Sequence, residues 1–163
     1  METFVGKKIL VTGGTGCIGS EIVKNISKYE PKVVRIFSND EDATFRMIEN
    51  LGKSIKRRFL IGDIRDKDRL IHAMKDIDIV YHAAALKHVP LCERNPFDAI
   101  KTNVLGTQNI VEAALINGVE KVINISTDKA VNPINTMGAT KLLAEKLIID
   151  AEFYKGDAET VFS

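Results

Sequence analysis

The chain has 163 residues, 45% of them hydrophobic, and a formal net charge of +1 at pH 7. This length suits one hydrophobic core, so we expect a single domain over residues 1–163. The small charge excludes the basic surface of a nucleic-acid-binding protein, and no apolar run is long enough to span a membrane.

Short β-rich runs alternate with helical patterns along the chain. Strands are predicted at residues 8–12, 33–37, 58–61, 77–81, 121–125 and 160–162. Helices are predicted at residues 17–29, 44–51, 67–74, 96–117 and 137–154. The first strand is apolar almost throughout, as expected for a strand buried on both faces. The alternation predicts an α/β fold of Rossmann type, a doubly wound parallel sheet.

A glycine-rich loop separates the first predicted strand from the first predicted helix. Glycines spaced by three residues allow a tight turn, a close approach of the backbone to a pyrophosphate, and close packing of the helix on the sheet. The helix N-terminus then faces the phosphates. The predicted dinucleotide contacts in this loop are Gly13, Thr15, Gly16, Cys17, Ile18 and Gly19.

The end of the second strand distinguishes NAD from NADP. An acidic residue there would hold the ribose hydroxyls and repel a 2′-phosphate. The sequence places Ser38 and Asn39 at this point, and both can donate hydrogen bonds to a phosphate. Asp40 is the alternative, which would favour NAD unless it begins the next helix. We predict NADP, with NAD possible.

Two further strand ends complete the predicted cofactor site. After the third strand, the Asp63 carboxylate can accept a hydrogen bond from the adenine amino group while Ile64 packs on the ring. A polar loop that caps a helix is the alternative there. After the fourth strand, Ala83, Ala84 and Ala85 are small enough for the nicotinamide ribose to lie against the backbone.

The cysteines and histidines show no metal-ligand spacing, so we predict no metal site. Cys17 and Cys92 are typical of reduced thiols in a cytoplasmic protein. The opening residues also lack the apolar core of a secretion signal, which favours the same location.

Four segments, residues 13–19, 82–90, 101–107 and 126–141, together resemble the extended short-chain dehydrogenase/reductases. Within them the chain resembles the CapD-type polysaccharide biosynthesis proteins, the inverting UDP-N-acetylglucosamine 4,6-dehydratases. The resemblance implies a lyase that oxidises C4 of a UDP-sugar, eliminates water across C5 and C6, and returns the hydride to C6 with inversion at C5.

The resemblance also implies roles for five residues. Asp128 is the acid for the C6 hydroxyl, Lys129 is the base at C5, Thr127 holds the C4 oxygen and Lys141 holds the nicotinamide ribose. Retaining relatives carry glutamate where Lys129 stands, so lysine indicates the inverting branch. A lysine base must be neutral, a state favoured by burial and by a nearby positive charge. Met137 replaces the tyrosine of the wider superfamily, and a thioether cannot serve as a proton acceptor.

Three residues are predicted to face the sugar nucleotide: Lys87, His88 and Asn103. A structural role for His88 is an equally open alternative.

In this family the chain continues into a region that binds the UDP-sugar, so we expect residues 1–163 to stop before it and to be inactive alone. A non-catalytic NAD(P)-binding module and a sugar-nucleotide 4-epimerase are the alternatives, the second disfavoured by Met137 and by the Asp128-Lys129 pair.

We also expect a homo-oligomer, because the last two predicted helices carry apolar residues on more than one face. In relatives such helices pair as a four-helix bundle, although here they could simply cover the sheet. The apolar residues are Ile100, Val104, Ile110, Val111, Leu142, Leu143, Leu147 and Ile148.

Overall fold

A computed structural model describes residues 4–52, 54 and 56–163. The first three residues, part of the segment that we interpreted as lacking a secretion signal, lie outside the described residues.

The described residues contain a six-stranded parallel sheet in the order β3-β2-β1-β4-β5-β6. The strands are β1 (Lys8–Thr12), β2 (Val33–Ser38), β3 (Arg57–Ile61), β4 (Ile79–His82), β5 (Lys121–Asn124) and β6 (Val161–Phe162). The strand order reverses direction between β1 and β4, and in such sheets ligands bind at that point, beyond the carboxyl ends of the strands. The predicted Rossmann-type fold is confirmed.

Seven α-helices connect these strands in the described part of the chain. They are α1 (Cys17–Ile26), α2 (Glu41–Leu51), α3 (Lys67–Met74), α4 (Val89–Arg94), α5 (Pro96–Ala99), α6 (Gly106–Asn117) and α7 (Thr136–Tyr154). A π-helical segment, Ile100–Leu105, joins α5 to α6, and a 3₁₀ turn, Asp128–Ala130, precedes α7. The long helix predicted at residues 96–117 is therefore interrupted by a π segment, and α4 was not predicted.

The sheet separates two hydrophobic clusters. On one face, residues of β1, β2 and β4 pack with Val23 and Ile26 of α1 and Met47 of α2. On the other face, Val80, Val122 and Phe162 pack with residues of α3, α6 and α7. The central strands β1, β2 and β4 thus bury side chains on both faces, as parallel strands usually do.

The helices α6 and α7 carry apolar residues on more than one face, as predicted, and these residues divide into buried and exposed ones. Ile110, Val111 and Ile148 belong to the core and cover the sheet, so they cannot pair with a second copy. Leu143 and Ile100 are exposed and remain available. None of the helices in the described residues is long and apolar enough to cross a bilayer.

Candidate active site

A cleft lies at the carboxyl ends of β1, β2, β3 and β4. It is lined by every predicted dinucleotide contact apart from Lys141, together with Asp40, Lys87 and Thr102. The predicted contacts that line it are Gly13, Thr15, Gly16, Cys17, Ile18, Gly19, Ser38, Asn39, Asp63, Ile64, Ala83, Ala84 and Ala85.

Two of the loop glycines are required by packing within the protein. Gly13 has φ +62°, and a Cβ there would lie 2.7 Å from the backbone nitrogen of Ala84. A Cβ on Gly19 would lie 2.2 Å from the carbonyl oxygen of Gly13. The loop therefore packs closely against the end of β4 and the start of α1. A side chain at Gly13 or Gly19 would displace the backbone.

Gly16 differs from its two neighbours because a Cβ there would contact the Gly13 carbonyl oxygen alone, at 3.2 Å. Gly16 is also the N-cap of α1 and makes no side-chain cap, whereas Asp40 and Asn135 cap α2 and α7 by accepting from backbone N–H groups. The first turn of α1 therefore offers its N–H groups to the cleft. Such an arrangement suits a phosphate, since the helix dipole also favours negative charge there.

The loop after β2 is held by hydroxyl contacts. The Ser38 and Thr15 hydroxyl oxygens are 2.7 Å apart, and Ser38 also accepts a hydrogen bond from the Asp40 backbone N–H. Asp40 caps α2 by accepting from the Ala43 N–H at 2.8 Å. Ser38 and Asp40 thus each have a structural partner, although both border the cleft.

The far end of the cleft carries an ionised carboxylate. Arg65 donates to Asp63 through its side chain and its backbone N–H, and Asn39 donates a longer hydrogen bond of 3.4 Å. The side-chain hydrogen bond from Arg65 is the main cause of the lowered pKa of Asp63. Asp63 is therefore negatively charged at neutral pH and can act as a hydrogen-bond acceptor.

His82, at the end of β4, was not predicted to have a role. It is buried, with Nδ1 2.7 Å from the Thr12 hydroxyl and Nε2 3.2 Å from the Thr107 hydroxyl. Burial, with a smaller contribution from the charge of Lys141, lowers its pKa to about 3. His82 is therefore neutral and ties β1, β4 and α6 together beneath the cleft. Its position at a strand end next to Ala83 was the signal in the sequence.

The structure does not bring Asn103 to the cleft, which corrects its prediction as a substrate contact. Asn103 lies in the π segment, is buried, and accepts a 2.8 Å hydrogen bond from the Leu86 N–H. Its amide nitrogen donates to the Leu86 carbonyl and to the Thr140 hydroxyl, both at 3.0 Å. Asn103 holds the loop after β4 against α7. The neighbouring Thr102 lines the cleft instead.

The predicted catalytic turn follows β5. The Thr127 hydroxyl donates to Asp128 at 2.9 Å, and the Lys129 ammonium is 3.6 Å from the same carboxylate oxygen. The Thr127 hydrogen bond, followed by the charge of Lys129, lowers the pKa of Asp128. The side chains of Asp128 and Lys129 are 87% and 53% exposed. The burial expected for a lysine base is therefore absent in the described part of the chain.

Lys141 and Met137 lie in the first turns of α7 and are both buried. The Lys141 ammonium donates to the carbonyl of Ile125 at 2.7 Å, and burial lowers its pKa despite the opposing charge of Glu145. Met137 packs with Cys92 of α4 and Ala99 of α5 in a small apolar cluster. The side chain of Met137 therefore acts in packing here.

Of the predicted substrate contacts, Lys87 lines the cleft, and His88 is exposed at the N-cap of α4. Within the described residues no three acidic, histidine or cysteine side chains are grouped to hold a metal ion. The donors of the site are thus backbone N–H groups, hydroxyls, carboxylates and lysines. This set, with the glycine cradle at α1, fits a dinucleotide.

Residues 9–163 match the family described as "Polysaccharide biosynthesis protein". Three curated relatives illustrate its range. A protein of Methanocaldococcus jannaschii described as an uncharacterized membrane protein is 61% identical over 96% of this chain and 47% of its own length. An inverting UDP-N-acetylglucosamine 4,6-dehydratase of Campylobacter jejuni is 49% identical over 98% of this chain and 48% of its own length. A UDP-glucose 4-epimerase of Rickettsia bellii is 49% identical with the same shares.

Solved structures also match most of this chain over about half of their own length. Pen from Bacillus thuringiensis superposes with a TM-score of 0.97 and 48% identity, over 99% of this chain and 50% of that protein. A dTDP-glucose 4,6-dehydratase from Streptomyces venezuelae, solved with NAD bound, superposes with a TM-score of 0.83 and 26% identity, over 90% and 52%. The chain spans about half the length of the curated relatives that it matches.

Proposed function

The chain belongs to the family of polysaccharide biosynthesis proteins, and on that premise we propose that it forms the coenzyme-binding and catalytic half of a nucleotide-sugar 4,6-dehydratase that inverts C5. The observation that carries this proposal is the Thr127-Asp128-Lys129 turn at the carboxyl end of β5, in the same sheet edge as the glycine cradle. The dehydratase among the relatives acts on UDP-N-acetylglucosamine, and we propose the same substrate here.

A nicotinamide bound in the cleft would supply a site that accepts the C4 hydride and returns it to C6. The remaining steps are proton transfers, in which this chain's residues take part. Thr127 hydrogen-bonds the C4 oxygen. Once C4 is a ketone, Lys129 removes the acidified C5 proton while Asp128 protonates the departing C6 hydroxyl, so that one water leaves. After the hydride reaches C6, water gives C5 a proton on the opposite face, and Lys129 releases to solvent the proton that it took. Lys141 holds the ribose of the coenzyme.

The oxidation of C4 also requires a group that accepts the proton of the C4 hydroxyl. Met137 cannot accept a proton and is buried in an apolar cluster. Asp128 is the better acceptor because it is ionised and hydrogen-bonded to Thr127. A carboxylate that takes the C4 proton becomes the acid that the C6 hydroxyl needs in the next step.

For the coenzyme we propose NAD, against the preference for NADP drawn from the sequence. Ser38 and Asp40 each have a partner within the protein, and the Asp40 carboxylate also borders the cleft there. No arginine or lysine lines that end among the described residues, and a 2′-phosphate would be repelled. Calorimetry with both coenzymes tests this. A tighter NADP complex would contradict it.

The function is tested by joining this chain to the half of the C. jejuni dehydratase that it does not match, here called the fusion. We expect the chain alone to bind coenzyme without detectable turnover, because binding of the remote UDP group positions the reacting carbons. The fusion should convert UDP-N-acetylglucosamine to a 4-keto product and lose this activity in Lys129→Ala. Turnover by the chain alone, or activity of the fusion that survives Lys129→Ala, would contradict the proposal.

A 4-epimerase is the second candidate, favoured by the identity to the R. bellii protein. Epimerisation retains the C6 hydroxyl, whereas dehydration releases it as water. Mass spectrometry of the fusion's product distinguishes them, because an epimer keeps the mass of the substrate.

We also propose that the chain self-associates through the outer sides of α5 and α7. Leu143, Phe97 and Phe153 are exposed there, together with Ile100 of the π segment. A cluster of exposed apolar side chains on neighbouring helices marks an interaction surface.

A further inference from the structure

A side-chain contact joins α7 to the turn of residues 127–129, here called the catalytic turn. Ser126 stands directly before this turn, and its hydroxyl donates a hydrogen bond to the carboxylate of Glu145. Glu145 lies on α7 one helical turn after Lys141, so the two side chains share a face of the helix. Hydrogen bonds to an ionised acceptor are about twice as strong as those between neutral groups.

Two consecutive residues after β5 are therefore bonded to the same face of α7. The Lys141 ammonium donates to the carbonyl of Ile125 at 2.7 Å, and Glu145 accepts from the hydroxyl of Ser126. The Ile125 N–H also donates to the carbonyl of His82 at 2.9 Å, which keeps this residue bonded to the sheet. Together these contacts fix the chain between β4 and α7 just before the catalytic turn.

The far end of the catalytic turn packs on the first turn of α7. A Cβ at Gly138 would lie 2.3 Å from the carbonyl oxygen of Lys129, so the backbone passes directly over the helix there. Ala130, the next residue, is 2% exposed. Between these two attachments the side chain of Asp128 is 87% exposed, so packing alone does not hold it. The placement of the catalytic turn against α7 thus depends on the attachments at its two ends.

Glu145 also lies beside a buried charge. Lys141 is 7% exposed, and burial lowers its pKa whereas the charge of Glu145 raises it. An opposite charge nearby favours the ionised form of a lysine. One carboxylate therefore contacts the residue before the catalytic turn and supports the ammonium form of Lys141.

We propose that Glu145 is a positioning residue for the catalytic turn. By accepting the hydrogen bond of Ser126, it fixes the start of the turn on the helix that carries Lys141. The proton-transfer side chains and the lysine that holds the coenzyme then keep one relative geometry, as catalytic groups must to within about 0.5 Å. The roles of the turn and of Lys141 rest on the proposed function, whereas the effect of Glu145 on the turn can be measured in this chain without substrate.

Three variants separate the hydrogen bond from the charge of Glu145. Glu145→Leu removes the acceptor, and Ser126→Ala removes the donor. Glu145→Gln keeps a carbonyl oxygen to which Ser126 can donate but loses the charge. Glu49→Leu is the matched control, because it makes the same change at an exposed position of α2, which covers the opposite face of the sheet from α7.

Nitrogen-15 relaxation of the backbone amides measures the mobility of the catalytic turn in this chain. Wild type, Glu145→Gln and the control should give order parameters of about 0.85, typical of a rigid backbone. In Glu145→Leu and Ser126→Ala those of Thr127 and Asp128 should fall below about 0.6, the range of flexible segments, while the strands keep theirs.

A rigid turn in Ser126→Ala would overturn the proposal, and this variant decides the question even if Glu145→Leu does not fold, since Ser126 is exposed. A turn as mobile in Glu145→Gln as in Glu145→Leu would also overturn it, because the charge of Glu145 and not its bond to Ser126 would then hold the turn.

Kinetics of the fusion add a readout that a role in stability alone would not move. Glu145→Leu and Ser126→Ala should lower kcat at least roughly tenfold, because a small misplacement of reacting groups is costly. The KM for UDP-N-acetylglucosamine should change less than about twofold, since the remote UDP group supplies the binding. An active fusion with an unchanged kcat in both variants would overturn the role of Glu145. A wild-type fusion without turnover would contradict the proposed function instead, and the relaxation data would still decide that role.

Discussion

Gly16 is the loop position where a side chain would meet a bound dinucleotide rather than the protein. A Cβ at Gly16 has one close protein neighbour at 3.2 Å, against 2.2–2.7 Å at Gly19 and Gly13. Gly16→Val should therefore still fold, although valine at the N-cap lowers the stability somewhat. It should weaken dinucleotide binding by roughly 100-fold, about 2.7 kcal/mol, since the side chain occupies the approach of the pyrophosphate. Asn25→Val, an exposed position on the same helix, is the control and should bind normally. Equal affinities for the two variants by calorimetry would contradict the assignment of the loop.

His82 should make the protein less stable in mild acid. Its pKa of about 3 lies below the ordinary 6.5, so the unfolded chain binds a proton between these values that the folded chain does not. The stability that a neutral His82 provides is fully present above pH 6.5. As the pH is lowered below this value, the free energy of unfolding falls by up to about 1.4 kcal/mol per pH unit.

This slope is best measured by urea denaturation between pH 5 and 6.5, where the carboxylates with lowered pKa values remain ionised. His82→Gln should flatten the slope, and the exposed His88→Gln should leave it as it is. A steep slope that persists in His82→Gln would show that another group is responsible.

Among the elements, the π segment Ile100–Leu105 explains why Asn103 can reach Leu86. A π turn widens the helix locally and redirects a side chain, which is why such segments are frequent near functional sites. Asn103→Leu keeps the volume but leaves the N–H and carbonyl of Leu86 without their partner, which should lower the free energy of unfolding by about 1–3 kcal/mol. Gln108→Leu, an exposed amide on α6 that bonds to Glu112, should change it by less than about 0.5 kcal/mol. If chemical denaturation shows that Asn103→Leu lowers the free energy of unfolding by less than about 0.5 kcal/mol, Asn103 does not hold the loop at Leu86.

Elements with strong local signals could be predicted from the sequence. The predicted bounds of β1 and α3 agree with the structure, because an apolar run and a capping Asp66 are local features. The start of β4 was placed two residues early, since Ile77 belongs to the core but bonds to Met74 within a turn. The helix α4 has six residues with a proline in its first turn, too short for a helical period to be visible. The π segment depends on Asn103, whose partners lie far away in sequence.

The cleft-lining residues could be predicted for the same reason that β1 could, because the loops that carry them follow the strands directly. The exposure of Lys129 could not be predicted, since burial depends on residues distant in the chain. The family was identified correctly from the four motif segments.

At the scale of the whole molecule, the proposed self-association through the outer sides of α5 and α7 can be tested directly. Light scattering should show a dimer or larger oligomer of this chain, and Leu143→Glu should shift it to a monomer, because a carboxylate would be buried at the interface. Ile116→Glu, at an exposed position of α6, is the control and should leave the oligomer intact. A wild-type monomer at high concentration would exclude the proposed surface.

The exposure of the Asp128–Lys129 pair connects the catalytic proposal to assembly. In water the pair is ionic, with the ammonium 3.6 Å from the carboxylate. Transfer to a low-dielectric site disfavours both charges, so Lys129 releases its proton to solvent and Asp128 keeps the proton that it takes from the C4 hydroxyl, which leaves a neutral amine beside a carboxylic acid. These are the base required at C5 and the acid required at C6. Covering the pair by the second half of the enzyme and by substrate would thus convert a solvated ion pair into the reactive form.

Carbon-13 NMR of the Asp128 carboxyl checks this conversion. In this chain alone the pKa of Asp128 should lie below its ordinary value, because Thr127 and Lys129 stabilise the carboxylate. In the fusion with a bound UDP-sugar the pKa should move upward, and Lys129→Met should remove the coupling between the two groups. Asp128→Asn in each protein identifies the resonance. If Asp128 still titrates below its ordinary value in the substrate-bound fusion, desolvation does not favour the protonated carboxyl, and Asp128 is not the acid at C6.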